Sequence, residues 1–190
     1  MDCAVKLAYG ADSSVIREQR VGACQAISGT GSLRLAAELL KKHGGAPKVL
    51  VSTPTWGNHK TIFGAAGLEV GTYPYFDEKT NGVAFADMKA ALSTADSGTI
   101  VLLHSCCHNP TGADLTKDEW RELATMMKAR GLIPLFDTAY QVRVGWGEGR
   151  GRREGRGRRG VKAGCCIYLF RKPLSKSQLL LQLTTNTPAK

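Results

Sequence analysis

Residues 99–141 read TIVLLHSCCHNPTGADLTKDEWRELATMMKARGLIPLFDTAYQ. Two apolar runs, TIVLLHS and LIPLFDT, have the length and bounds of buried strands, and the stretch between them has helical spacing. Thr116 with Glu119 three residues on is a capping box that opens the helix. Gly131 is a suitable residue just past its end. Two more runs lie upstream, KVLVST at 48–53 and VGTYPYF at 70–76, followed by the helical patterns HKTIFGAAG and FADMKAALSTA. An earlier helical pattern, SLRLAAELLKKHG, follows the turn SGTG. Strand and helix alternate with short connections, which is the signature of an α/β fold with a largely parallel sheet. Ligands of such folds bind beyond the carboxyl ends of the strands.

The chain has 190 residues and a net charge of +10. Residues 1–141 carry 14 Lys+Arg against 14 Asp+Glu, so they are neutral. Residues 142–190 carry 12 Lys+Arg against 2 Asp+Glu, so the whole excess of positive charge sits there. The segment VRVGWGEGRGRREGRGRRGVK, 142–162, holds seven Gly and seven Arg. Such a composition cannot bury a core, and a disordered basic tail is the expectation. The boundaries are therefore 1–141 for a folded α/β part and 142–190 for the tail. QLLLQL, within the tail, has no evident strand or helix partner. A basic tail attracts polyanions weakly and without sequence preference.

The cysteines are Cys3, Cys24, Cys106, Cys107, Cys165 and Cys166, with no C-x-x-C spacing. That argues against a zinc site or a disulfide framework and for reduced thiols in the cytosol. MDCAVKLAYGADSS has no apolar h-region, and no apolar run is long enough to span a membrane. The location expected is cytoplasmic, with a mitochondrial form left open.

Four stretches after the strands, or before a helix, have the residue types for chemistry. Ser28, Gly29 and Thr30 in SGTG offer backbone N–H groups and hydroxyls at a helix start, where a phosphate can sit; a plain Gly-rich cap is the alternative. Trp56, after the first run, has a flat face for stacking on an aromatic ligand, or is a rim tryptophan. Asn109 in HNPTG can donate to a phenolate oxygen, with His108 beside it as a buttress or a structural histidine. Asp137, at the end of an apolar strand, is costly unless paired. A protonated heterocyclic nitrogen would pair it, and a helix cap is the plainer role. Tyr140 can donate to the same ligand. Phosphate cradle, stacking ring, Asn–Tyr pair and buried Asp have one common solution, pyridoxal 5'-phosphate.

The stretches GTGSLRLAAELL, VLVSTPTWGNHKTIFGAAGLEV, YPYFDEKTNGVAFADMKAAL, VLLHSCCHNPTGADLTKDEW and LFDTAYQ resemble the aspartate aminotransferase family, fold-type I pyridoxal-phosphate enzymes, from about residue 7 to Gln141. The resemblance implies an incomplete three-layer α/β/α sandwich, the large domain of that fold. It implies that Ser28, Gly29 and Thr30 hold the cofactor phosphate and that Trp56 stacks on the ring. Asn109 and Tyr140 would meet the phenolic oxygen, and Asp137 the pyridine nitrogen. His59 and His108 would lie behind that aspartate. Thr53–Pro54 and Asn109–Pro110 fall where the family has cis peptides. The implied activity is amino-group transfer between aspartate and 2-oxoglutarate by a homodimer, with the closely related aromatic aminotransferases as the second possibility.

The resemblance stops at Gln141. Family members continue with a G-F-A-S-G-like stretch, whereas here VRVGWGEGRGRR follows, as a shift of reading frame in a GC-rich gene would produce. The family's Schiff-base lysine, in a Ser-x-Ser/Ala-Lys-Asn context, is not found. Lys176 in PLSKSQ lies at roughly the right distance but lacks the residues that follow that lysine. The chain reads as a fragment of the large domain, inactive alone and without a certain catalytic residue. RNA binding through the Gly/Arg-rich segment is the non-enzymatic alternative.

Overall fold

The computed structural model describes residues 2–45, 48–140, 165–170 and 181–184. Helices α1 (Asp2–Tyr9) and α2 (Ser14–Arg17) lead to strand β1 (Val21–Ala26). Helix α3 (Ser28–Leu39) runs into a π-helical turn at Leu40–Gly44. Then come β2 (Lys48–Thr53), α4 (Asn58–Ala65), β3 (Glu69–Pro74), and the short pair β4 (Phe76–Asp77) and β5 (Gly82–Val83). Helix α5 (Phe85–Ser93), β6 (Ile100–His104), α6 (Lys117–Arg130) and β7 (Ile133–Thr138) follow, with β8 (Cys165–Phe170) and β9 (Leu181–Thr184) last.

The four strands read from the sequence are β2, β3, β6 and β7. They form one seven-stranded sheet with β1, β8 and β9, in the order β1-β8-β9-β7-β6-β2-β3. From β3 to β9 all neighbours are parallel, while β8 runs antiparallel to both β9 and β1. Strand alternation splits the core in two. Val49, Val51, Ile100, Leu102, Ile133 and Leu135 meet Leu33, Ala37, Ile62 and Phe63 of α3 and α4. Leu50, Tyr73, Val101 and Leu103 meet Met88, Leu92, Leu123 and Met127 of α5 and α6. Helices therefore cover both faces, and the three-layer sandwich is present.

Helix α6 is set by its own sequence. Thr116 Oγ1 accepts from the Glu119 N–H at 3.2 Å, and a Glu119 carboxylate oxygen accepts from the Thr116 N–H at 2.8 Å. Gly131 closes the helix at φ 67, a left-handed conformation that favours glycine.

Three features differ from the sequence reading. Strand β1 was not among the expected strands, because VGACQA has a glycine and no strong run of β-formers; its ladder partner lies far along the chain. QLLLQL, expected to lack a partner, contributes Leu181, Gln182 and Leu183 to β9, opposite Leu135, Phe136 and Asp137 of β7. SGTG does not precede α3 but forms its first turn, with Ser28 at φ 56. Residues 141–164, 171–180 and 185–190 lie outside the described residues, and with them Lys176 and the disorder expected of the Gly/Arg-rich segment.

Leu102 is fully buried at the centre of the sheet. Leu102→Ala should lower the unfolding free energy of the full chain by about 2–5 kcal/mol, through lost transfer energy and a residual cavity. Thr116→Ala, on the exposed cap of α6, should cost about 0.5–2 kcal/mol. Urea titrations of the two variants compare them; equal losses would mean that layer packing is not the main support.

Candidate functional site

The site lies where β2, β6 and β7 end. Asp137, in β7, is opposite His104, the last residue of β6. Its carboxylate is buried, 9% exposed. Oδ2 lies 3.2 Å from Nε2 of His59, a fully buried residue in the first turn of α4. Because a carboxylate only accepts, His59 Nε2 carries the proton and donates. The other ring nitrogen, Nδ1, lies 2.7 Å from Thr55 Oγ1, which therefore donates to it in the neutral ring. Oδ1 of Asp137 is buried with no hydrogen-bond partner among the described residues. A buried carboxylate oxygen in that state is an acceptor waiting for a donor.

Around this pair stand two more histidines. The His104 ring meets the His59 ring edge-on at 5.2 Å and lies 4.3 Å from the His108 ring. His104 Nδ1 accepts from the Asn109 backbone N–H at 3.2 Å, which puts the His104 proton on Nε2. His108 Nε2 is 2.8 Å from Ser52 Oγ, and its Nδ1 is 2.8 Å from Thr111 Oγ1. Tyr75 stacks flat on His108 at 3.9 Å. Trp56 contacts His59 edge-to-face at 5.3 Å. Both Thr53–Pro54 and Asn109–Pro110 are cis, as expected.

Trp56, His59, Asp137, His108 and Asn109 are thus joined through hydrogen bonds and ring contacts. Ser28, Gly29 and Thr30 stand outside that chain of contacts, at the N-terminus of α3. There the Gly31 N–H donates to the Ile27 carbonyl at 3.1 Å, while the N–H groups of Ser28, Gly29 and Thr30 precede the first intrahelical acceptor. Tyr140 is half-buried, two residues beyond the end of β7. Sequence reasoning passed over His104, Ser52, Thr55 and Thr111. Their one signal was position: each lies at, or just past, the carboxyl end of a strand or in the HNPTG turn. Among the described residues no group of His, Cys, Asp and Glu suits a metal ion, and no helix is long and apolar enough to cross a membrane.

The cluster holds His104 and His108 neutral. Burial, reinforced by His108 and His59 and opposed by Asp137 and Asp114, pushes the His104 pKa down to about 3. Burial and then His59 push His108 down to about 4. Both folded values lie below the ordinary 6.5, so between that pH and about 3–4 the unfolded chain binds more protons. Their contribution to stability is complete above about pH 6.5 and is lost as the pH falls through the folded values. The thermal midpoint of the full chain should fall steadily from pH 7 to pH 4.5, and less steeply in His108→Gln. A slope unchanged by that substitution would mean that His108 does not titrate this way.

Residues 2–152 match the family model described as "Aminotransferase class I and II". The aromatic-amino-acid aminotransferase of Escherichia coli (strain K12) is 52% identical over 143 residues, 75% of this chain and 35% of that protein. The cytoplasmic aspartate aminotransferase of Oryza sativa subsp. japonica is 48% identical over 136 residues, 72% of this chain and 33% of that protein. Among solved structures, an aromatic-amino-acid aminotransferase from Burkholderia pseudomallei, covalently bound to pyridoxal phosphate, superposes with a TM-score of 0.71 at 48% identity, covering 73% of this chain and 35% of that one. The chain spans about a third of the length of these relatives. With half or more of its residues matched by the family model and the same fold beneath them, the chain belongs to the class I and II aminotransferase family.

Proposed function

We propose that this chain is the cofactor-binding portion of an aminotransferase that moves the amino group between aspartate and 2-oxoglutarate. One observation carries the cofactor assignment: Asp137 Oδ1 is buried and lacks a partner, while His59 holds Oδ2. A protonated pyridine nitrogen is the donor that fits. The remaining residues suit the same group. Trp56 offers a stacking face, Asn109 and Tyr140 offer donors to a phenolic oxygen, and Ser28, Gly29 and Thr30 offer N–H and hydroxyl groups to a phosphate. Bound pyridoxal phosphate supplies an electron sink for the pair left on the substrate α-carbon.

The protein's own share of the chemistry is electrostatic. Asp137 would keep the ring nitrogen protonated, and His59 fixes the carboxylate through its own bond to Thr55. His104 holds the Asn109 backbone. Layers of apolar side chains below the strand ends exclude water from the carboxylate. Aromatic amino acids are the second substrate class, and the relative from E. coli favours keeping it. A homodimer is part of the proposal; the exposure of Leu7, Ile27 and Leu35, at 57%, 90% and 47%, supports a covered surface at the N-terminal elements. The Gly/Arg-rich segment would add weak polyanion binding that falls steeply with salt.

Quenching of tryptophan fluorescence by added pyridoxal phosphate tests the site in the full chain. Asp137→Ala should weaken binding at least about tenfold, as for a charge-assisted hydrogen bond worth about 1.5–3 kcal/mol. An unchanged affinity would remove Asp137 from the site. Aspartate-to-oxaloacetate turnover should be undetectable, because the tail carries no lysine in the family's context. Turnover that disappears in Lys176→Ala would overturn that part and make Lys176 the catalytic lysine.

A further inference from the structure

The turn between β6 and Asn109 contains two adjacent cysteines, Cys106 and Cys107, both half-buried and unoxidised. Adjacent residues in an extended strand point to opposite sides. Here Cys107 has φ 50, so the chain turns instead of alternating. Residues 105–107 form a bend rather than an extended strand, so the two side chains are not held on opposite faces of the sheet. The turn is also pinned: Asp114 accepts from the Cys107 N–H at 2.7 Å and from the His108 N–H at 3.0 Å.

Two thiols in one rigid turn can be bridged in two ways. A direct S–S bond wants Cα atoms about 4.4–6.8 Å apart, and consecutive residues across a trans peptide sit at only about 3.8 Å. That bond would be strained and easily reduced. A single thiophilic atom placed between the sulfurs needs no S–S contact and leaves room for their separation. A metal ion would want further ligands, and no third protein ligand is grouped with this pair among the described residues. A centre satisfied by two thiolates and one group of its own fits best.

We infer that Cys106 and Cys107 form a two-sulfur site for a trivalent, thiophilic centre of the arsenic(III) type. With phenylarsine oxide the step balances without redox change. Two As–S bonds form, the As–O bonds break, and the oxygen leaves as water with both thiol protons. Arsenic stays trivalent and keeps its phenyl group. Burial, followed by Cys107 and Asp114, pushes the Cys106 thiol up to about 11, so it meets the reagent as a thiol whose proton must depart with that oxygen. Cys24 is exposed, and a separate thiol of that kind can form only a single As–S bond within the chain. The closed ring would sit one residue before His108 and two before Asn109, so it would stiffen the turn that carries both.

The test treats the full reduced chain with phenylarsine oxide and challenges the product with thiols. We expect one adduct that persists in excess 2-mercaptoethanol and is released by dithiothreitol, as two-point attachment requires. Peptide mapping of the unmodified sequence should place it on the fragment containing Cys106 and Cys107. Cys106→Ser and Cys107→Ser should each remove the monothiol-resistant adduct, while Cys24→Ser and the double change Cys165→Ser, Cys166→Ser should keep it. A resistant adduct that maps elsewhere, survives in Cys106→Ser or Cys107→Ser, or never forms would overturn the inference. Mapping on the natural sequence decides the matter even if a variant fails to fold.

Discussion

A carboxylate buried at the end of a parallel strand is the constraint on which this molecule's arrangement depends. Removing Asp137 from water is costly unless the charge is met. His59 meets half of it, through a bond of 3.2 Å. That bond joins α4 to β7, two elements 78 residues apart in sequence. It requires the β2–α4 connection to turn at once toward β7, which it does through Thr53–Pro54 and Trp56. The unmatched oxygen, Oδ1, is the observation on which the proposed role of Asp137 rests.

The histidines extend that constraint across the sheet edge. Hydrogen-bond direction assigns the His104 proton, because the Asn109 N–H donates to its Nδ1. On the other side of the cluster, Ser52 faces His108, and its ladder partner Tyr73 donates its hydroxyl to the Leu102 carbonyl at 2.7 Å. Two polar links thus lie between the HNPTG turn and the backbone of β6. Buried networks of this kind are rigid when each member is satisfied. Here the open ends are His104 Nε2 and Asp137 Oδ1, both in the site. The same turn that delivers Asn109 also carries Cys106 and Cys107, and Asp114 pins it through the Cys107 and His108 N–H groups.

Much of this was legible in the chain. The apolar runs that became β2, β6 and β7 are largely buried, so they stand out as continuous hydrophobic stretches, while β3 is the partly exposed edge strand. The α6 caps were legible because capping is local: Thr116 and Glu119 are three residues apart. Trp56, Asn109 and Asp137 were found because parallel strands send their next residues to one edge, and His59 through the resemblance to the family. What escaped has a common cause. Strand β1 has little local propensity and owes its place to β8. His104 looks like any strand-end histidine until Asn109 and Asp137 are seen on either side. Ser52 and Thr111 acquire a role only when 56 residues of separation close between Ser52 and His108.

By itself the sequence determined the layered α/β architecture, the ends of α6 and the identity of the residues that gather at the strand ends, since periodicity, capping and strand direction act over a few residues. Tertiary structure decided which of these residues touch, that His104 and His59 carry a proton on Nε2, and which oxygen of Asp137 stays open. Those are matters of distance between segments far apart in the chain, and burial gives them their force: in water an unpaired carboxylate oxygen costs nothing, whereas at the end of β7 it defines a site.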